Sequence, residues 1–245
     1  MGAGGSRGGG MVRVSLAAGE AARQALTTLA DLGNYNAWLL DLCRPYLRGR
    51  VLEAGCGLGT FSPGIAARAR ELWVLDRDPA ALAAAVTRVP GARRIRHDLE
   101  RPLPVSGFDT VVALSVLEHL EDDAAALRHL AAALAPGGTL LLYVPGHPWL
   151  YGSEDRRVGH RRRYRRSEIL ARVRRAGLTV VRVRRVNLLG LLPWLVLYRV
   201  MGRQGLPTRA SRWFDRMVPW WRELEAWVPP PAGLGIFLAA RKGEA

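Results

Sequence analysis

The sequence predicts an α/β fold: a seven-stranded, mostly parallel sheet with helices on both faces, N-terminal helices, and a helical insertion between the last two strands. Three observations carry this. Short apolar runs of strand length alternate with alanine- and leucine-rich segments of helical period. A glycine turn, Gly55-Cys56-Gly57-Leu58-Gly59, joins the first run to the next helix. Gly55, Asp76, Asp98 and Ser115 fall at or just beyond strand ends, where sheets of this kind bind their ligands.

Length and composition set the frame. A chain of 245 residues with 49% apolar content can bury a substantial core, and suits one domain with an elaboration. Residues 1–14 read as a disordered glycine-rich leader without a secretory apolar run, and residues 15–245 as a single domain. Cys43 and Cys56 are the only cysteines, which argues against a disulfide framework or a cysteine metal site and for a reducing cytosol; no metal is expected. The net charge of +15 is almost wholly arginine, since Lys242 is the only lysine. Schiff-base or phosphate-loop lysine chemistry therefore has no candidate outside the C-terminal tail. So basic a chain favours an anionic partner, although arginine supplied by a GC-rich genome explains the composition equally well.

Taken in order, residues 15–32 and 34–47 have helical spacing. Tyr35 and Trp38 share a face of the second helix; they either pack it on the core or close over a ligand. Val51 and Leu52 end the first strand, with Glu53 at its end just before the glycines, and a helix follows over 61–69. The second strand, 72–75, ends in Asp76; an acid roughly 20 residues after the glycines suits the ribose hydroxyls of a nucleoside. A helix over 79–89, a strand over 92–96 running into His97 and Asp98, and a strand over 108–113 come next. A long helix is expected over 117–134, ended by Pro136-Gly137-Gly138, then a fifth strand over 139–144. Ser167 reads as the N-cap of a helix over 168–176, which Gly177 ends, and strands over 179–186 and 235–240 complete the sheet.

Residues 51–144 resemble a class I S-adenosylmethionine-dependent methyltransferase. VLEAGCGLGT is similar to that family's ExGxGxG motif, WVLDRDP to its ribose-binding acid motif, RHDLERPLP to the adenine segment, FDTVVALSVLEHLEDD to the fourth motif, and LAPGGTLLLYVP to the fifth strand. The glycines run GxGxG, whereas a nicotinamide dinucleotide fingerprint wants its third glycine one place later. Glu53 is also poorly suited to a pyrophosphate and suits a cationic ligand. The resemblance implies a Rossmann-like sheet and S-adenosylmethionine as methyl donor, leaving S-adenosylhomocysteine. Glu53, Gly55, Cys56 and Gly57 would hold the methionine portion, Asp76 and Arg77 the ribose, Asp98 and the Leu99 backbone the adenine, and Ser115 and Val116 the methyl-transfer channel. Tyr35 would close over the same ligand. For His119 a capping or core role is the default expectation.

Acceptor choice is expected after Val144. Residues 146–166 set Trp149, Tyr151, Asp155, His160 and Tyr164 among seven arginines. This segment resembles a bacterial methyltransferase group carrying D…GHxRRY after a Tyr-Asn-x-Trp helix, some of whose members look associated with glycosyltransferases and lipid-linked sugars; Asp155, Gly159, His160, Arg162, Arg163 and Tyr164 match. His160 is the expected general base, with Asp155 orienting it and His147 in reserve. Arg162 and Arg163 are expected to clamp an anionic acceptor, with His147, Trp149, Tyr151 and Tyr164 also binding it.

Residues 187–234 form the expected insertion. Residues 186–198 are apolar, but Gly190 and Pro193 interrupt them and the run is shorter than the roughly 20 residues of a spanning helix. The insertion reads either as a lid over the acceptor pocket or as an interfacial attachment, over 187–228, with Trp213, Trp220, Trp221 and Trp227 at headgroup level. The expectation is a cytoplasmic enzyme, peripheral to the inner membrane face in the second version. It would act, through oxygen, on a small-molecule or lipid-linked anionic acceptor. Nucleic acid is disfavoured because no separate binding module is present, so RNA methylation ranks lower, as does cofactor binding without catalysis.

Overall fold

The computed structural model describes residue 24, residues 26–205 and residues 208–244. The expected leader and most of the expected first helix lie outside the described residues; residues 26–30 are helical. Seven strands follow: β1 (Arg50–Ala54), β2 (Glu71–Asp76), β3 (Arg93–Arg96), β4 (Phe108–Leu114), β5 (Leu134–Pro145), β6 (Leu178–Val186) and β7 (Gly235–Lys242). They form one sheet in the order β3-β2-β1-β4-β5-β7-β6, with β7 antiparallel to both neighbours and the other pairings parallel. The helices are α1 (Gly33–Cys43), α2 (Ser62–Ala66), α3 (Pro79–Arg88), α4 (Asp123–Ala133), α5 (Ser153–Val158), α6 (Arg166–Arg175), α7 (Leu191–Trp194) and α8 (Thr208–Trp227).

Strand period sorts the core into two layers. Leu52, Val111, Leu140, Leu142 and Leu238 face one way and pack with Leu127 and Leu130 of α4 and Ile169 and Val173 of α6. Their neighbours Val51, Val112, Leu141 and Phe237 face the other way, onto Trp38 and Leu39 of α1, Leu82 and Ala85 of α3, and Val218 of α8. The central strands are therefore buried on both faces, which is why they read as unbroken apolar runs. β6 lies at the sheet edge, where valines alternating with arginines suffice.

Three boundaries differ from expectation. The helix predicted over 117–134 splits: Leu117–His119 form a single 3₁₀ turn, and α4 starts at Asp123, where Asp122 accepts from the Ala125 amide at 2.8 Å. The Asp122 cap starts the helix later than the apolar pattern implied. β5 begins at Leu134, because Pro136-Gly137-Gly138 sits in an irregular stretch where Phe108 pairs with Leu134 but Thr110 with Thr139. The cap of α6 is Arg165, without a side-chain bond, so Ser167 lies inside the first turn.

The insertion leaves and rejoins the sheet at one point. Val186 and Gly235 are register partners, and the Leu234 amide donates to the Asn187 carbonyl at 2.9 Å. Between them, α7 runs into a π turn, Leu195–Val200, and α8 lies against α1. Buried Glu225 anchors α8 by accepting from the amides of Asn187 (3.2 Å) and Leu188 (2.8 Å) and from Trp221 Nε1 (2.7 Å). The opposite face carries Trp213, Trp220 and Trp227, all well exposed, while Trp221 packs on the core and is not part of the outer stripe expected for it. No helix among the described residues is long and apolar enough to cross a membrane.

Candidate active site

The loop after β1 takes a path that needs glycine. Gly55 has φ of +72°, and a Cβ there would lie 2.6 Å from the Val116 side chain; at Gly59, φ is +70° and a Cβ would meet the Ala85 Cα of α3 at 2.6 Å. Neither position tolerates an L side chain. The turn brings the Gly57 amide to Asp76 Oδ2 at 3.0 Å, while Asp76 Oδ1 accepts from the Asp78 amide at 2.9 Å. Asp76 is thus fixed at the end of β2 with lone pairs still facing outward. Asp98 is similarly held, accepting from the Glu100 amide at 3.0 Å.

These groups line a cavity of about 220 Å³ with Gly55, Arg77, His97, Leu99, Ser115, Val116, His119 and Leu120. Of the residues expected at the cofactor, Gly55, Gly57, Asp76, Arg77, Asp98, Leu99, Ser115 and Val116 line this one cavity, and Cys56 lies buried within the turn. Glu53 is set back from it. Its carboxylate is buried beneath the turn and accepts from Ser62 Oγ at 2.5 Å; burial pushes it up to about 7, opposed by the Ser62 hydrogen bond. Burial also raises both thiols, Cys43 to about 12.

Ser115, with φ of +55°, stands where this cavity meets a second of about 200 Å³, which it lines with Tyr35, Glu118, His119, Tyr143, His160 and Arg163. Tyr35, expected to close over the cofactor, lines this second cavity and not the first. The reason is a hydrogen bond of 2.7 Å between its hydroxyl and that of Tyr143 on β5. Burial raises both phenols, so both are neutral.

His160 and Asp155 do meet. Asp155, fully buried at α5, faces His160 Nδ1 at 2.8 Å and accepts from Arg163 Nε at 2.9 Å to each oxygen and from the Gly152 amide at 2.9 Å. Burial pushes its carboxyl up, but the His160 bond and the Arg163 charge outweigh that and hold it below the usual range. Since a carboxylate only accepts, His160 carries its proton on Nδ1, and Nε2 faces the cavity side, 3.8 Å from Glu118 Oε1. Arg163 also stacks over Trp194 at 4.5 Å.

The rest of the basic loop builds the scaffold. Arg162 donates to the carbonyls of Leu120 (3.0 Å) and Glu121 (2.8 Å) and pairs with Asp123 at 3.1 Å; Tyr164 is buried with its hydroxyl on Asp123 at 2.7 Å. Tyr151 donates to the His160 carbonyl at 2.8 Å. Trp149 is half exposed and His147 packs beside it at 5.5 Å. None of these five lines the cavities; of the two arginines expected to clamp an acceptor, Arg163 lines the second cavity and Arg162 does not.

The sequence reading missed Glu118 and Tyr143, and gave His119 only a capping role. Glu118 is fully buried with neither carboxylate oxygen hydrogen-bonded; burial pushes it up to about 7 against the pull of His160. Burial, then the nearby His160, takes His119 down to about 3, leaving it neutral. The available signal was the acid-histidine pair placed directly after a strand end. A third cavity, of about 280 Å³, adjoins the second through Tyr35, Trp194 and Leu234 and is otherwise mostly apolar: Leu32, Leu189, Pro193, Leu197, Trp213 and Phe214 line it.

Residues 20–183 match a family model described as a methyltransferase domain. A probable S-adenosylmethionine-dependent methyltransferase of Mycobacterium tuberculosis is 36% identical over 126 residues, 48% of this chain and 46% of its own length. The ubiquinone biosynthesis O-methyltransferase of Xanthomonas campestris is 36% identical over 100 residues, 38% of this chain and 41% of its own. The chain thus spans about half the length of the curated relatives it matches. Among solved structures, the N-methyltransferase NodS of Bradyrhizobium japonicum, in complex with S-adenosyl-L-homocysteine, superposes with a TM-score of 0.56 at 20% identity over 86% of each chain, a likeness of fold.

Proposed function

Because the chain belongs to the methyltransferase-domain family, we propose that it transfers a methyl group from S-adenosylmethionine to an oxygen of a small acceptor with an apolar tail, such as a lipid-linked one. The observation that carries this reading is the continuous run of three cavities, joined at Ser115 and then at Tyr35 and Trp194. The first has the chemistry of a nucleoside cradle: close-approach glycines and two strand-end carboxylates with outward lone pairs. Asp76 would take the ribose hydroxyls and Asp98 the adenine amino group, and buried Glu53 would act on the cationic end through the turn, beyond direct contact. The donor supplies an already activated methyl, so the protein's task is alignment.

In the second cavity His160 Nε2 would receive the acceptor proton, with Asp155 and Arg163 holding the ring. Tyr35 and Tyr143 wall the opposite side as neutral hydroxyls. The third cavity would take the tail. The exposed Trp213, Trp220 and Trp227 on α8 support attachment to an anionic membrane surface, which would deliver such an acceptor to the mouth and place the enzyme at the cytoplasmic face. The test is calorimetry with S-adenosylmethionine, followed by product S-adenosylhomocysteine measured with hydroxylated acceptors of graded tail length. Absence of cofactor binding sinks the reading; turnover indifferent to tail length sinks the acceptor class.

A further inference from the structure

We propose that Glu118, His119 and His160 form a binding site for a first-row transition-metal dication at the acceptor mouth. Each offers one ligand atom, and the three atoms lie within 4.8 Å of one another. Glu118 is fully buried, lines the second cavity, and has both oxygens free of hydrogen bonds. A buried carboxylate without partners is costly to a fold unless something else neutralises it. A bound cation does so.

Three further features favour metal over a stray buried acid. The imidazoles of His119 and His160 meet edge to face at 4.7 Å, and a ligand nitrogen of each lies within 4.8 Å of the Glu118 carboxylate. Asp155 sits 2.8 Å from His160 Nδ1, which leaves the Nε2 lone pair directed at Glu118, the carboxylate-histidine-metal arrangement that fixes a ligand's tautomer. The loop is also tied in place, since the His160 amide donates to the Asp155 carbonyl at 2.8 Å and the Arg161 amide to the Glu118 carbonyl at 2.7 Å. Ligand atoms around a dication bound at about 2.0–2.2 Å stand roughly 3 to 3.5 Å apart. His160 Nε2 and Glu118 Oε1 stand 3.8 Å apart and the three ligand atoms lie within 4.8 Å of one another, so binding would draw them together, which the unbonded Glu118 carboxylate can help supply by turning.

Two histidines and one carboxylate select zinc, manganese, cobalt or ferrous iron over magnesium, which prefers oxygen ligands. Three protein ligands leave coordination positions open toward the cavity. An acceptor with adjacent oxygen donors, a vicinal diol or hydroxy-carboxylate, fits those positions. This inference rests on the methyl-acceptor reading for the identity of that ligand; with a cation on its Nε2, His160 would hold the metal in place of taking the acceptor proton, which a metal-bound hydroxyl would release to water.

The experiment is titration of the chelator-treated full chain with cobalt(II), followed by calorimetry and by visible absorption, with magnesium as comparison and Glu118→Gln and His160→Asn as variants. The expected result is one cobalt per chain, magnesium at least tenfold weaker, and cobalt affinity reduced at least tenfold in both variants. Far-ultraviolet circular dichroism and S-adenosylhomocysteine binding by Glu118→Gln verify that the variant is folded. Cobalt binding weaker than millimolar, or equal in the wild type and the folded Glu118→Gln, overturns the metal site. Loss of S-adenosylhomocysteine binding by the wild type overturns the methyltransferase reading instead, so the two failures are distinct.

Discussion

Asp215 of α8 caps α1: its carboxylate accepts from the Tyr35 amide at 2.9 Å, and its other oxygen from the Asn34 amide at 3.1 Å. α1 has no side-chain cap of its own, so the insertion supplies one from 180 residues away. A negative charge at a helix N-terminus is favourable for both the dipole and the unpaired amides. Asp215→Ala should lower stability by about 1–2 kcal/mol, read as a shift in urea midpoint, and should weaken acceptor binding through Tyr35 more than cofactor binding. Asp215→Asn, which keeps an acceptor, should lose less.

Asp155 is the counter-charge of buried Arg163. Removing one partner of a buried pair costs about 3–5 kcal/mol because the other charge is left alone, so Asp155→Ala should unfold at markedly lower denaturant. The folded-state pKa of Asp155 is depressed, so its contribution is present above the ordinary aspartate value and disappears as pH falls through the folded one. Acid titration of unfolding free energy below pH of about 4 should show a loss in the wild type that is smaller in the double variant Asp155→Leu, Arg163→Met.

Asp76 links the glycine turn to β2 through the Gly57 amide. With Ala there, that bond goes, and so would the ribose contacts proposed for Asp76. S-adenosylmethionine affinity should fall by about 10²-fold, equivalent to roughly 3 kcal/mol, with little change in the melting temperature of the unliganded protein.

Glu53 titrates near about 7 in the folded protein, raised by burial. Its raised value means that it favours folding at low pH and that this contribution fades as pH rises from its ordinary value, near 4.5, through about 7. A cationic donor favours the ionised form. Binding of S-adenosylmethionine at pH about 6.5 should therefore release protons, seen as a calorimetric enthalpy that varies with buffer ionisation heat, whereas uncharged S-adenosylhomocysteine should release fewer. Glu53→Gln should abolish the difference.

Trp213, Trp220 and Trp227 recur every seven residues along α8 and are largely exposed, Trp213 also edging the third cavity. Replacing all three with Ala should change unfolding free energy by no more than about 0.5 kcal/mol per site, as for other exposed positions, while removing sedimentation with anionic vesicles at low salt. Vesicle binding that survives the triple replacement would sink the attachment.

The donor half was legible because its information is local: a strand, a glycine turn and an acid at the next strand end follow one another in the chain, and one cavity gathers nearly all the residues they predicted. The acceptor half was not, because it is assembled across long separations. Tyr35 and Tyr143 meet over 108 positions, and Glu118 faces His160 from across the loop. Neither pairing has a sequence period. The arginine-rich run looked like an anion clamp, and within the protein Arg162 and Arg163 also bond to Asp123, Asp155 and main-chain carbonyls. Charge type can be read from a sequence, whereas who has already neutralised it cannot. The start of α4 was misjudged for a related reason: the apolar pattern continued through the 3₁₀ turn, and the Asp122 cap overruled it.

The meeting of Asn187 and Leu234 at the root of the insertion makes the intervening 46 residues a cassette. Its ends enter and leave between two hydrogen-bonded strands, so exchanging it for another of different length would leave β6 and β7 paired and the donor cradle untouched. In a lineage that keeps one methyl donor but changes its clients, this is the joint at which recombination can act. Acceptor range can drift there without the sheet having to re-evolve.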